Sequence, residues 1–378
     1  MTGFERIYNA LSKEKTDHVP YMPKIWVKLA CEITRTSIIE VLSDSYKAME
    51  VILEAGKICG LDGVRIFRFP ERNIKKDNNG DLYHIGPNGP IGKIDSKGGL
   101  STYLFEDNSI NIEDEYTIAF LQFWKQKSPL AVDLKDAKRI AVPDKTFYKE
   151  LGFDNHILKI LNESEGIAIV GNSASPTLSF YSYFRSGAMA LMDFYDNPEL
   201  VHAIMDKGVA IAIEKGKFCI DSGLKILRLN DSTANMNVIS PKIFRDFIKP
   251  RFKEVCDELH NYNPDVKIYC HNCGNILPVM SDLVETGLDC IAPLDPLGGF
   301  SCADARNAVP DDYPLMGGID TLSFMNSTEQ EISAEALACI NGAGKNGSFI
   351  LGSGCVLPPG SIPETIRVAG AVAKSYKY

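Results

Sequence analysis

The sequence predicts an α/β protein folded as a (β/α)8 TIM-type barrel with a small β excursion near residues 78–106. Two observations carry this. Eight short apolar, β-rich runs alternate with longer stretches of helical periodicity, and no Gly-rich dinucleotide turn follows the first run, which argues against an open doubly wound sheet. The whole chain, residues 1–378, reads as one barrel domain with no repeat, low-complexity tract or linker.

A helix over about 2–12 comes first. The strand candidates follow at 20–26, 63–69, 167–171, 225–230, 267–271, 290–294, 314–317 and 349–352. Between the second and third, "NNGDLYHIGPNGPIGKIDSKGGLSTYLFE" reads as short strands joined by Asn-Gly and Pro-Asn-Gly turns, an excursion from one barrel loop. The helix candidates "SPKIFRDFIKPRFKEVCDELHNY", "NILPVMSDLVETG", "STEQEISAEALACINGAGK" and "SIPETIRVAGAVAKSYKY" fill the later gaps. Several of them open with a Ser-Pro or Ser-Thr-Glu helix-start signal.

Composition narrows the function. A formal net charge of -9 and the lack of a basic stripe argue against nucleic acid or an anionic membrane surface as partner. The charged N-terminal stretch and the absence of any run of about 18 apolar residues point to a cytoplasmic protein. Ten cysteines scattered through 378 residues suit buried thiols and metal ligands better than disulfides. Cys31, Cys59, Cys219, Cys256 and Cys339 are read as small core residues.

The stretch "IYCHNCGN" carries the chemistry. Alternate residues of a strand share a face, so His271 and Cys273 point with Tyr269 while Cys270 points to the surrounding helices. A zinc site needs a third protein ligand and, if catalytic, an open fourth position. Cys290 opens a strand, Cys302 starts a helix and Cys339 lies within one. Cys355, in "FILGSGCVLPPG", lies on a Gly-flanked turn directly after the last strand. The loops after all eight barrel strands gather on one face, where His271, Cys273 and Cys355 would converge. A structural site built from Cys270, Cys273, Cys290 and Cys302 competes, without the second Cys-x-x-Cys that such sites use. Asp231, after the strand "KILRLN", is a candidate catalytic carboxylate, substrate contact or fourth ligand, or a turn residue. Asp295, Asp320, the loop "GNSASPT" and the aromatic run "SFYSYFRSG" also fall at strand ends, where turn chemistry or helix packing explains them as well.

Taken with "ERIYNALSKEKTDHVP", "LNDST", "ISPKIFRDFIKPRFKEV", "CHNCGN", "LDCIAPLDP", "YPLMGGID" and "FILGSGCVLPPGSIPETI", the chain resembles the uroporphyrinogen decarboxylase superfamily, in its zinc-dependent, corrinoid-linked methyltransferase branch. The likeness is close from about residue 223 onward, recognisable over the first 20 residues and loose from about 70 to 165. It implies a (β/α)8 barrel, with His271, Cys273 and Cys355 as zinc ligands. It also implies methyl transfer between a corrinoid protein and a small thiol or methylated substrate. The only approach to a corrinoid-ligand motif, "DNHILK", has lysine where glycine is required, so His156 reads as a surface or interhelical residue and the corrinoid as a partner's. Two rivals stand beside this. A metal-free decarboxylase would carry an Arg-Gln-Ala-Gly-Arg segment near the first strand and a histidine in the last loop; here those places hold "YMPKIWVKLACEITRT" and "GSGCV". A non-catalytic ligand- or metal-binding barrel would close its site with four protein ligands.

Overall fold

The computed structural model describes residues 1–107, 109–344 and 347–376. Strand β1 (Gly63–Arg65) opens the principal sheet. The chain then detours through β2 (Ile74–Lys76), β3 (Leu82–Gly86), β4 (Gly89–Ile94), β5 (Thr102–Leu104) and β6 (Trp124–Lys125), a five-stranded sheet in sequence order. It returns as β7 (Ala168–Asn172), β8 (Ile226–Asn230), β9 (Lys267–His271), β10 (Cys290–Leu294), β11 (Leu315–Ile319) and β12 (Phe349–Ser353). The principal sheet has seven strands in the order β1-β7-β8-β9-β10-β11-β12, every neighbouring pair parallel.

Seven of the eight predicted strands are therefore present. The first, at 20–26, makes only isolated parallel bridges, Tyr21 to Leu351 and Lys24 to Val356. Pro20 and Pro23 have no N–H to give, so a regular ladder cannot run through them. The segment still bonds on both sides. Met22 N donates to Leu351 O at 2.8 Å and Leu351 N to Pro20 O at 2.9 Å, while Asp62 N donates to Tyr21 O at 2.9 Å. The excursion is also larger than predicted, starting at Ile74 and recruiting Trp124–Lys125.

Strand alternation divides the interior in two. Val170, Ile226, Tyr269, Cys290, Met316 and Ile350 point inward, where they meet Ile7, Ala10 and Leu11 of the helix Gly3–Leu11. That helix is started by a reciprocal cap: Glu5 N donates to Thr2 Oγ1 at 3.1 Å and Thr2 N to Glu5 Oε2 at 2.7 Å. Leu227, Ile268, Cys270, Ile291, Leu315 and Phe349 point outward into the larger core beneath the helices. The predicted helix at 240–262 forms with a π stretch at Phe244–Ile248, where Pro250 removes a donor and the ladder slips. The predicted ends at residues 345 and 377–378 lie outside the described residues. Among the described residues, no helix is long and apolar enough to cross a membrane.

The excursion contains an acid-sensitive joint. His84 of β3 stacks on Trp124 of β6 with ring centroids 5.6 Å apart, and its Nδ1 is buried without a partner. Burial, then the charge of Arg72, holds its pKa down to about 4 from the usual 6.5. The folded state therefore disfavours the proton, while the unfolded chain takes it below about 6.5. Stability contributed by this ring is complete above that pH and is lost as pH falls towards about 4. Thermal melts from pH 7 to 4 should show a decline that His84→Phe reduces, since the phenyl ring keeps the stack without titrating.

Candidate metal centre

β9 ends in His271, which the alternation that buries Tyr269 also turns inward; it is 4% exposed. Cys273 follows on a loop pinned from three sides. Asn272 Nδ2 donates to Ala234 O at 2.8 Å, Gly274 N to Asp295 Oδ2 at 2.9 Å and Asn275 N to Asn237 Oδ1 at 2.8 Å. Gly274 sits at φ +86°, which suits a residue without a side chain. Cys355 lies on the turn after β12, where Ser353 Oγ donates to its carbonyl at 2.6 Å and Gly354 N donates to Ile319 O at 2.7 Å.

These elements bring one nitrogen of His271 and the two sulfurs within 4.8 Å of one another. Among the described residues, no other group of three His, Cys, Asp or Glu side chains meets so closely. Zinc bonds of about 2.3 Å to sulfur and 2.0–2.1 Å to nitrogen imply tetrahedral N···S edges of roughly 3.6 Å. His271 Nε2 lies 3.8 Å from Cys355 Sγ. One imidazole and two thiols at this spacing match three corners of a tetrahedral zinc site.

The side chain of Lys24 shares the space, and burial, then the charges of Arg65 and Arg228, lowers its pKa well below the usual lysine value. Lys24 Nζ lies 2.9 Å from His271 Nε2. Burial lowers the pKa of His271, and the charges of Lys24, Arg228 and Arg65 lower it further, so the ring is the neutral, ligating form. Between the sulfurs, the hydrogen bond from Cys273 holds the Cys355 thiol down to about 6, with Lys24 helping; the same bond pushes Cys273 up. The shared hydrogen bond and Lys24 thus favour the thiolate on Cys355 over that on Cys273.

The loops after β9 and β10 touch so closely that a Cβ at Gly298 would lie 2.4 Å from the Gly274 carbonyl oxygen. Both are backbone positions and cannot yield cheaply. Gly298→Ala should cost about 1–3 kcal/mol of stability and, by moving Cys273, weaken metal retention. A urea midpoint and a chelator-competition assay measure the two effects.

The remaining sequence candidates divide. Asp231 is 0% exposed and lies outside the three-residue cluster. Its Oδ1 accepts from Ser179 N at 2.9 Å, Ser179 Oγ at 2.7 Å and Thr233 Oγ1 at 3.0 Å, and its Oδ2 from Thr177 Oγ1. Its own N–H donates to His271 O at 3.1 Å. The loop "GNSASPT" thus supplies a donor to Asp231, and Asp295 and Asp320 cap the turns at Leu297 and Leu322. The aromatic run divides as well: Phe180 and Tyr183 line a cavity, and Tyr181 and Phe184 pack in the core. The rival four-cysteine site does not assemble: Cys270 faces the outer core and Cys290 the inner one. His156 packs its ring on Tyr46 at 4.9 Å, an interhelical contact.

Sequence reasoning missed Lys24, Arg65 and Arg228. The cavity of about 270 Å³ that they line opens beside the metal centre. The available signal was an arginine at an inward position of an otherwise apolar strand, in "GVRIF" and "ILRLN".

The chain is similar to several characterised proteins. A methylated-thiol–coenzyme M methyltransferase from Methanosarcina mazei is 26% identical over 172 residues, 45% of this chain and 43% of that protein. The methylcobamide:CoM methyltransferase MtaA of Methanosarcina barkeri is 22% identical over 222 residues, 58% of this chain and 62% of its own. A uroporphyrinogen decarboxylase of Prochlorococcus marinus is 28% identical over 234 residues, 59% of this chain and 63% of its own. The match thus spans less than two thirds of each of these relatives. A solved methyltransferase from Methanosarcina mazei shares the fold over 99% of this chain and 98% of its own, with a TM-score of 0.71 at 18% identity. The uroporphyrinogen decarboxylase (URO-D) pattern matches residues 125–376, beginning well inside the stretch where the sequence motifs were loose. With more than half of its length matched, the chain belongs to the uroporphyrinogen decarboxylase family.

Proposed function

We propose that this chain is a zinc methyltransferase that moves a methyl group between a corrinoid carried by a separate protein and a small thiol or methylated substrate. The convergence of His271, Cys273 and Cys355 carries the reading. Methyltransferases and decarboxylases both appear among the relatives, so names alone do not choose between them. The metal-free decarboxylase reading leaves two thiols and a neutral imidazole in contact without a task.

Held by those three residues, zinc would supply a Lewis acid whose charge two thiolates nearly cancel, so that a thiol in the fourth position loses its proton yet stays nucleophilic. The chain's own residues prepare this arrangement. Lys24 favours the thiolate state of Cys355. Asp231 is assigned a positioning role, since its carboxylate ties together the loops after β7 and β8 while its N–H holds the His271 carbonyl. We read residues 20–24 as the stave that closes the sheet into a single-domain (β/α)8 barrel, supported by their bonds to both Asp62 and Leu351. A cytoplasmic setting agrees with ten free cysteines.

The test is the zinc content of anaerobically purified protein, followed by methyl transfer from a methylated corrinoid to thiols. About one zinc per chain is the expected result. Protein that takes up no zinc under reducing conditions would remove the ligand assignment and bring the decarboxylase forward.

A further inference from the structure

Away from the metal centre a second pair of sulfurs meets. Cys302 opens the helix Cys302–Asn307, after β10, and Cys339 lies in the helix Glu329–Ala343, after β11. The two thiols are hydrogen-bonded to each other. That bond, then burial, pushes the Cys339 thiol up, so its proton stays in place. Cys302 is 8% exposed and Cys339 7%. Two glycines clear the approach. A Cβ at Gly318 of β11 would lie 2.5 Å from Cys302 Sγ and 2.8 Å from Cys339 Sγ, and one at Gly342 would lie 3.3 Å from Cys302 Cβ. Among the described residues, no third His, Cys, Asp or Glu side chain completes a metal-binding group with them.

A hydrogen bond between thiols is weak, because sulfur is a poor donor and a poor acceptor. It stabilises little against the backbone freedom lost by one glycine in a strand and another in a helix. A covalent bond between the sulfurs is the interaction that this close approach does serve. A buried thiol without a sulfur neighbour is an inert, small apolar group. Two thiols in contact can close a disulfide without large backbone movement. Sulfurs this well covered admit only a small oxidant, which selects a hydroperoxide over a bulky disulfide.

We propose that Cys302 and Cys339 form a redox modification site, which a hydroperoxide converts into a reversible disulfide stapling the two helices across β11. The Cys302 sulfur attacks one peroxide oxygen and becomes a sulfenic acid. With hydrogen peroxide, the other oxygen leaves as water, carrying the Cys302 thiol proton. The Cys339 sulfur then attacks the sulfenic sulfur, and the displaced hydroxyl takes the Cys339 proton to form a second water. The two thiols together lose two electrons and two protons, and the peroxide O–O bond is the one reduced. A thiol reductant restores both groups. Transient pairs of this kind are the usual form of disulfide in reducing compartments. The site shares no residue with His271, Cys273 and Cys355, so it stands or falls apart from the methyl-transfer reading.

The test treats the full chain, with and without zinc, with stoichiometric hydrogen peroxide, then alkylates and digests it without reductant. The expected product is a pair of peptides joined through residues 302 and 339, lighter by two hydrogen atoms than the separate peptides and parted by dithiothreitol. Cys302→Ala and Cys339→Ala should each abolish it. Treatment should raise the melting temperature by about 3–5 °C more in wild type than in either variant. Four results would overturn the proposal: both thiols still alkylated after peroxide, either sulfur ending as a sulfinic or sulfonic acid, either pairing only with another cysteine, or wild type and variants responding alike on melting. Should a variant fail to fold, the wild-type peptide map still decides.

Discussion

Cys355→Ser should leave a folded protein that no longer retains zinc, and Cys273→Ser should do the same. Neither side chain belongs to the apolar cores, and both sit on loops whose backbone bonds do not involve sulfur. Thermal stability of the metal-free variants should therefore match that of metal-free wild type. The effect on metal is large. Apparent binding energies of about 10–16 kcal/mol for four-ligand zinc sites imply about 3 kcal/mol per ligand, or a hundredfold or more in affinity. A serine hydroxyl is not deprotonated near neutral pH and is a poor substitute for thiolate. Metal analysis after gel filtration with a weak chelator reads the loss, and methyl transfer should disappear with it. Full zinc retention by either variant would remove that residue from the ligand set.

Asp231→Ala should produce the largest loss of stability among substitutions near the site, about 3–5 kcal/mol. Burial raises the pKa of this carboxyl, and the donors from Thr177, Ser179 and Thr233 pull the other way. Alanine would strand those donors in a wholly buried place. Asp231→Asn keeps the volume and one acceptor oxygen, and the hydroxyls can rotate to meet its amide, so about 1–2 kcal/mol is expected. Urea denaturation of both variants gives the comparison. Because the Asp231 backbone holds the His271 carbonyl, the alanine variant should also bind zinc about tenfold more weakly. Equal stability of the Ala and Asn variants would show that the donors are satisfied without the carboxylate.

Local rules accounted for the strands that bring His271, Cys273 and Cys355 together. The period of two separated His271 from Cys270, and the rule that barrel loops gather on one face selected Cys355 over Cys290 and Cys302. What escaped them depends on partners distant in sequence. Residues 20–26 read as a strand because their side chains are apolar, but the prolines deny them a ladder, and only hydrogen bonds to Leu351 and Asp62 reveal their place. Arg65 and Arg228 each read as one polar residue in an apolar run. Their meaning appears only when two strands bring them to the same cavity beside Lys24. The five-stranded excursion was underestimated because Trp124–Lys125 joins it across about twenty residues of other structure.

The inner core has a consequence for the order of folding. Ile7, Ala10 and Leu11 pack with Met316 and Ile350, which lie roughly three hundred residues further along the chain. The 20–24 segment likewise waits for Leu351. Both contacts close loops of roughly three hundred residues, so the loop-closure entropy falls late, after most of the local βα units can form. During synthesis the helix Gly3–Leu11 and the flank of β1 stay without these partners until β12 emerges. That interval is when chaperone capture or misassociation would occur, and it ends only with the strand that also delivers Cys355.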